Sequence, residues 1–217
     1  MIRPYASSDL PALRGICLLT GRAGADATGA YTSDELLPDV FLEPFVTLEP
    51  STAWVVDVGS PRSPQPVGYL IGVLDTAAFV QRWRSEWTPE FARRHARTAV
   101  RADDQWLLDF GYEPEWMLIP QLDRYPAHLH IDLLPAAQGG GWGRRLMQRL
   151  GAAALEAGAP GIHLGLDPAN AGALAFYTRL GFERLASPDD ALVLGIDPAL
   201  LVCAPQSSGE RTGVGGA

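Results

Sequence analysis

The stretch Gln138-Gly139-Gly140-Gly141-Trp142-Gly143-Arg144 decides the fold. Before it lies an apolar run, Ala127 to Pro135, that reads as a strand, and a helical pattern begins near Gly141. Strand, glycine loop and helix start together form an anion cradle. Glycines let the backbone approach a phosphate closely, and the unpaired N–H groups of the first helical turn, at the positive end of the helix dipole, point at the bound oxygens. The stretch therefore calls for a phosphate-bearing ligand.

Two familiar glycine loops do not fit. A Walker loop needs Gly-Lys before Ser or Thr, yet the chain has no lysine and all 17 basic residues are arginines. The dinucleotide fingerprint G-x-G-x-x-G fails from either start, because Gly139-x-Gly141 leads to Arg144 and Gly141-x-Gly143 leads to Leu146. What remains is Q-x-x-G-x-G after a strand ending in Leu133-Leu134-Pro135.

This pattern resembles motif A of the Gcn5-related N-acetyltransferase (GNAT) family. Further on, Asn170-x-x-Ala173-x-x-Phe176-Tyr177-x-x-Leu180-Gly181-Phe182-Glu183 is similar to the family's second signature, N-x-x-A-x-x-F/Y-Y-x-x-x-G-F. The resemblance implies an α/β (α+β) fold with a central mixed, mostly antiparallel sheet and flanking helices. It also implies an enzyme that moves an acetyl group from acetyl-CoA to an amine acceptor by direct transfer through a ternary complex, with no metal. On that basis backbone groups from Gln138 through Gly139, Gly140, Gly141, Trp142 and Gly143 to Arg144 cradle the pyrophosphate, and N–H groups around Leu133 and Leu134 polarise the thioester carbonyl. Asn170, Ala173 and Phe176 lie along the cofactor's path, although Phe176 also has the spacing of a core residue. Tyr177 stands where the family keeps the tyrosine that protonates the departing sulfur.

The general base is sought on the motif A strand. Period-two alternation puts His128, His130 and Asp132 on one face, opposite Leu129, Ile131 and Leu133, and three polar groups there are costly unless used or paired. Asp132 is the first candidate for accepting the amine proton and His130 the second. The sequence His128 to Leu134 and the Asp167-Pro168 pair also resemble the acetyltransferase-like C-terminal domain of animal O-GlcNAcases and its bacterial relatives. Two other readings stand beside the enzyme: a catalytically silent CoA-binding pseudo-acetyltransferase, and a metallohydrolase using His-x-His-x-Asp with His163.

Working outward, Ile2 to Tyr5 reads as a first strand, and Ser7-Ser8-Asp9 caps a helix carrying Leu10, Leu13, Ile16 and Cys17. Residues 20–30 read as a mobile lip over the acceptor. Asp34 to Leu48 is helical with breaks at Pro38 and Pro44, and Ala53–Val58 with Val67–Val73 forms a hairpin. About residues 75–125 form a helical insertion before the motif A strand that holds four of the six tryptophans and serves as a cover, an acceptor surface or a dimer face. Residues 1–200 are expected to form one domain, a closing strand occupies Ala191 to Ile196, and the pattern fades after Pro198 into a disordered tail over 201–217.

A net charge of −8 and a pI near 4.9 argue against nucleic acid and an anionic membrane as main partners. The same charge points weakly to a cationic acceptor. Two cysteines far apart, no apolar span and a start without signal-peptide form point to a cytoplasmic protein, with each cysteine a buried apolar residue or a bystander. A homodimer is the expected assembly, as is common in the family.

Overall fold

The computed structural model describes residues 1–98, 101–187 and 191–203. One seven-stranded sheet runs in the order β1-β2-β3-β4-β5-β7-β6. The strands are β1 (Ile2–Pro4), β2 (Ala53–Asp57), β3 (Pro66–Val73), β4 (Ala127–Leu133), β5 (Ile162–Gly165), β6 (Glu183–Leu185) and β7 (Val193–Ile196). Every neighbouring pair is antiparallel except β4 and β5. This is the mixed, mostly antiparallel sheet expected from the sequence.

The parallel pair is short, and its brevity makes the site. Only Ala127 with Ile162 and His128 with His163 are in register, after which β4 runs on to Leu133 without β5 beside it. On its other edge β4 stays paired to β3 along its length, from Val73 with His128 to Gly68 with Leu133. The strand therefore has one satisfied edge and one open edge, and an unpaired backbone edge needs partners of its own.

One sheet face carries α1 (Leu10–Thr20), α2 (Leu36–Phe41), α3 (Glu43–Leu48), α4 (Thr76–Arg82), α5 (Thr88–Arg94) and α6 (Gln105–Tyr112). Pro44 falls in the first turn of α3, where a missing N–H leaves no helical bond unmade, so it starts that helix rather than breaking it. A π-helical turn, Trp83–Trp87, joins α4 to α5. The core on this face includes Leu13, Phe45, Tyr69, Trp83, Phe91 and Leu107, each fully buried. Each of the aliphatic and phenyl side chains among them contributes roughly 1.5–3 kcal/mol of burial. The insertion is thus first of all a cover: Phe79 and Trp83 pack with Phe45 above the sheet.

The opposite face carries α7 (Trp142–Glu156), α8 (Ala171–Leu180) and α9 (Pro198–Cys203). Here the structure departs from the sequence reading twice. Glu183–Leu185 is a short edge strand paired to β7, and Pro198–Cys203 is a helix rather than the start of a tail. Leu201 is buried, and Gly151 of α7 lets it come so near that a Cβ there would stand 2.8 Å from the Leu201 Cβ. Residues 204–217, expected to be a disordered tail, lie outside the described residues. Among the described residues no helix is long and apolar enough to cross a membrane.

Candidate active site

A cavity of about 720 Å³ opens where β4 and β5 part. Its lining includes Asp132 and Leu133 of β4, the loop residues Gln138, Gly139 and Gly141, then Trp142, Gly143 and Arg144 of α7. Asn170, Ala173, Phe176 and Tyr177 close it from the α8 side. Two motifs about thirty residues apart in sequence thus meet across one space, as the resemblance implied.

The loop is built for an anion. Gly139 and Gly141 adopt φ of +77° and +74°, a conformation that side-chain-bearing residues rarely take. Gly141 is the N-cap of α7, it has no side chain to cap with, and no acidic residue stands in the first turn. The N-terminus of α8, by contrast, is closed by Asn170, whose Oδ1 accepts from Ala173 N–H at 3.0 Å, and α4 is closed by Asp75 in the same way. The first N–H donors of α7 are therefore left to a ligand. Arg145 supports the loop from behind: it donates to the Gly140 carbonyl at 3.0 Å and lies over the Trp142 ring at 3.9 Å. Gln138 Nε2 donates to the Leu133 carbonyl at 3.0 Å and ties the loop to the strand end.

The open edge of β4 supplies a donor for a carbonyl oxygen. Leu134 N–H is used by Val67 O at 2.9 Å, so alternation along the strand turns the N–H of Leu133 the other way, toward the gap. This corrects one expectation, because Leu134 has no N–H free to donate there: it is occupied, and the side chain packs into the α1-side core. Gly140 likewise does not line the cavity. Gly143 does, yet its constraint is packing, since a Cβ there would stand 3.0 Å from the Phe176 ring.

The polar face of β4 separates into three environments. Asp132 borders the cavity, with Oδ2 accepting from Tyr69 Oη at 2.5 Å and Oδ1 lying 3.0 Å from Thr20 Oγ1. Burial raises its pKa and the two hydroxyls oppose that rise, so Asp132 is a stronger base than an ordinary carboxylate. His130 is not in the cavity wall: its ring packs among Phe41, Phe45 and Trp116. Burial first, and His163 second, bring its pKa down from 6.5 to about 4, which makes it a weak base. His128 is buried with Nδ1 at 2.8 Å from Thr76 Oγ1.

Tyr177 is 6% exposed, and burial, then the charge of Asp132, raises its pKa. It is held protonated, as an acid must be, and among the described residues its hydroxyl makes no hydrogen bond. Thr20, Ala23, Gly24 and Arg179 also line the cavity: the first three fall in the segment 20–30 read as a lip, while Arg179 was not singled out in the sequence. No local motif marks Arg179; only the fold brings it there.

The His-x-His-x-Asp face does not gather as a metal site. His163 turns Nδ1 toward Tyr125 O at 2.7 Å and Nε2 toward Met117 O at 3.3 Å, and Asp132 is held by Tyr69 and Thr20. Among the described residues no three His, Cys, Asp or Glu side chains are grouped to hold an ion.

Comparison with known proteins agrees with this geometry. Residues 115–184 match the model of the acetyltransferase (GNAT) domain, a segment that contains both motifs. The crystal structure of SsHAT is similar at 40% identity and a TM-score of 0.84, with 91% of this chain and 98% of that chain covered. More distant structures share the fold. Chaetomium thermophilum Naa20, solved with a bisubstrate analogue, matches at 18% identity and a TM-score of 0.52 over 97% of this chain and 94% of that one. The yncA protein of Salmonella typhimurium, solved with its cofactor acetyl-CoA, matches at 15% identity and a TM-score of 0.51 over 95% and 98%. At the identity and length shared with SsHAT, likeness of fold is likeness of family, and this chain belongs to the GNAT acetyltransferases.

Proposed function

We propose that this protein is an N-acetyltransferase that passes the acetyl group of acetyl-CoA directly to an amine. One observation carries the reading: a single cavity is bordered by an uncapped helix N-terminus, the open edge of β4, a buried carboxylate and a protonated tyrosine. Acetyl-CoA, when bound, supplies the activated acetyl thioester. The N–H groups of the loop and of the first α7 turn hold the phosphates, with Arg144 and Arg179 adding charge at the cavity wall. Leu133 N–H donates to the thioester carbonyl oxygen and polarises it. Asp132 takes the proton that the amine nitrogen loses as it bonds to the acyl carbon, and Tyr177 gives its proton to the sulfur as the C–S bond breaks.

The acceptor enters from the α1 side. The net charge of −8 favours a cationic amine, and the partly exposed rings of Phe41, Trp106 and Trp116, which cluster outside the cavity wall, provide faces that steer it toward the site. Within the family, the sequence from His128 to Leu134 and the Asp167-Pro168 pair support kinship with the acetyltransferase-like domains of O-GlcNAcases and their bacterial relatives. A cytoplasmic setting and a homodimer complete the proposal.

The direct test is Tyr177→Phe, which keeps the ring and removes the proton. Turnover of acetyl-CoA with a panel of amines is expected to fall about 100-fold while affinity for acetyl-CoA stays the same. Turnover within about twofold of the parent would remove Tyr177 as the acid.

A further inference from the structure

Asp132 reaches the cavity from β4, but its partners come from two other elements. Tyr69 of β3 donates to Oδ2 at 2.5 Å, and Thr20, the last residue of α1, has its Oγ1 at 3.0 Å from Oδ1. The same Thr20 oxygen lies 2.8 Å from the carbonyl of Ile16, one turn back along the helix. A threonine hydroxyl has a single hydrogen. It therefore serves either Asp132 or Ile16 at a given moment, and the choice fixes the protonation of the carboxyl group.

Each arrangement is self-consistent. With Asp132 ionised, Thr20 turns its hydrogen to Oδ1, Tyr69 covers Oδ2, and both charged oxygens have donors. With Asp132 protonated, the carboxyl O–H points at Thr20 Oγ1, whose own hydrogen has turned to the Ile16 carbonyl. The mixed cases fail: a carboxylate facing a threonine lone pair at 3.0 Å is repelled, and a carboxylic O–H meeting a hydroxyl hydrogen is blocked. Passage between the two good states needs one hydroxyl rotation and no movement of heavy atoms.

Other neighbours do not compete for the charge. From α1 the buried Cys17 thiol and from α8 Tyr177 both feel the charge of Asp132, and neither bonds to it. Among the described residues Asp132 has no ion pair, so the two hydroxyls alone offset its burial.

We propose that Thr20 and Tyr69 are the positioning residues of the base, and that Thr20 is a hydroxyl switch that turns from Asp132 to Ile16 as the amine proton comes to rest on Asp132 Oδ1. The proposal rests on the reading of Asp132 as base. The proton leaves the amine nitrogen as its electron pair forms the N–C bond, the carboxylate becomes a carboxylic acid, and no further reactant is consumed. Because both protonation states are satisfied in place, the buried carboxylate changes charge without rearranging its surroundings, which is how a preorganised site lowers its barrier.

The test is the carboxyl carbon of Asp132, followed by NMR across a pH titration in aspartate-13C-labelled protein and assigned with Asp132→Asn. This needs neither acceptor nor turnover. Thr20→Val keeps the shape and removes both the donor to the ionised form and the acceptor of the protonated one; the bond to the charge is the stronger, so the titration midpoint is expected to move to higher pH by about one unit, a tenfold gain in proton affinity. Thr20→Ser is expected to restore the parent midpoint, and Tyr69→Phe to shift it upward as Thr20→Val does. If Thr20→Val does not fold, Thr20→Ala takes its place in the same measurement. In turnover assays the acid limb of kcat/KM is expected to move with the midpoint. An unshifted midpoint, a serine variant as shifted as the valine one, or an acid limb that ignores a shifted midpoint overturns the proposal. Acetyl-CoA binding measured on the same samples keeps the two readings apart, since a protein that binds none loses the enzyme reading while the carboxyl titration still reports on the switch.

Discussion

Gly139, Gly141 and Gly143 read alike in the sequence, and the structure gives them different reasons. At Gly139 and Gly141 nothing stands within 4 Å of where a Cβ would be, so the demand is on the backbone, with φ near +75° at both. At Gly143 the Phe176 ring is the obstacle. Gly141→Ala is therefore expected to cost about 1–2 kcal/mol of loop conformation and to weaken acetyl-CoA binding about tenfold by turning the first α7 N–H groups away. Calorimetry on the folded variant checks this, and unchanged affinity would mean that the loop does not hold the phosphates. Single residues were legible where their chemistry is local: the glycine loop follows from spacing, while Asn170 and Tyr177 follow from their places in the second signature that the sequence resembles. Thr20 and Tyr69 were not, because they reach Asp132 from 112 and 63 residues away, and neither carries a motif. Leu134 was misassigned because strand alternation, which decides which N–H faces the gap, depends on pairing to β3 that the sequence leaves open.

At the scale of elements, the insertion is pinned by charge as well as by rings. Asp39 of α2 is 1% exposed and meets Arg14 of α1 at 2.7 Å, Arg94 of α5 at 3.1 Å and His95 at 2.7 Å. Trp87 Nε1 adds a bond to the Asp39 carbonyl at 3.1 Å. Removing the carboxylate takes the buried acceptor from all three donors, although Arg14 and Arg94 keep Glu43. Asp39→Ala is expected to lower unfolding stability by about 3 kcal/mol, reduced somewhat because Arg94 is partly in water. Urea denaturation measures the loss, and a change below about 0.5 kcal/mol would show the network to be a surface feature. The sequence revealed this insertion by its length and its tryptophans, yet it did not reveal which rings become core. Trp83 and Trp87 are buried while Trp106 is 40% exposed, and that division depends on which face of each short helix meets the sheet. The edge strand Glu183–Leu185 escaped notice because three residues give too short a pattern to read.

Across the whole molecule the buried histidines set the response to acid. His128 and His163 titrate below their ordinary value, and His130 only at about 4, in each case chiefly because burial penalises the charged ring. A group whose folded pKa lies below its unfolded one contributes stability that is full above the unfolded value and is lost as pH falls toward the folded value. The melting temperature is thus expected to hold steady above about pH 6.5 and to fall between there and about pH 4, with the depressed carboxylates Asp9, Asp39, Asp57 and Asp104 adding to the loss below that window. His130→Phe is expected to flatten the slope, and a melting temperature unchanged down to about pH 5 would show the rings to be open to solvent. The fold as a whole was readable because two ordered motifs constrain a strand, a loop and two helices at once. The cavity followed from the resemblance alone, because no local pattern shows that β5 leaves β4 after two paired residues. That parting is the centre of the account, and it makes a claim that needs no knowledge of the acceptor. The decisive measurement is calorimetric titration of the unaltered protein with acetyl-CoA, using desulfo-CoA and ATP as comparators. Micromolar binding of acetyl-CoA and desulfo-CoA, about 8 kcal/mol, with ATP at least about tenfold weaker, is the predicted result. A folded protein that binds neither coenzyme form would contradict the account.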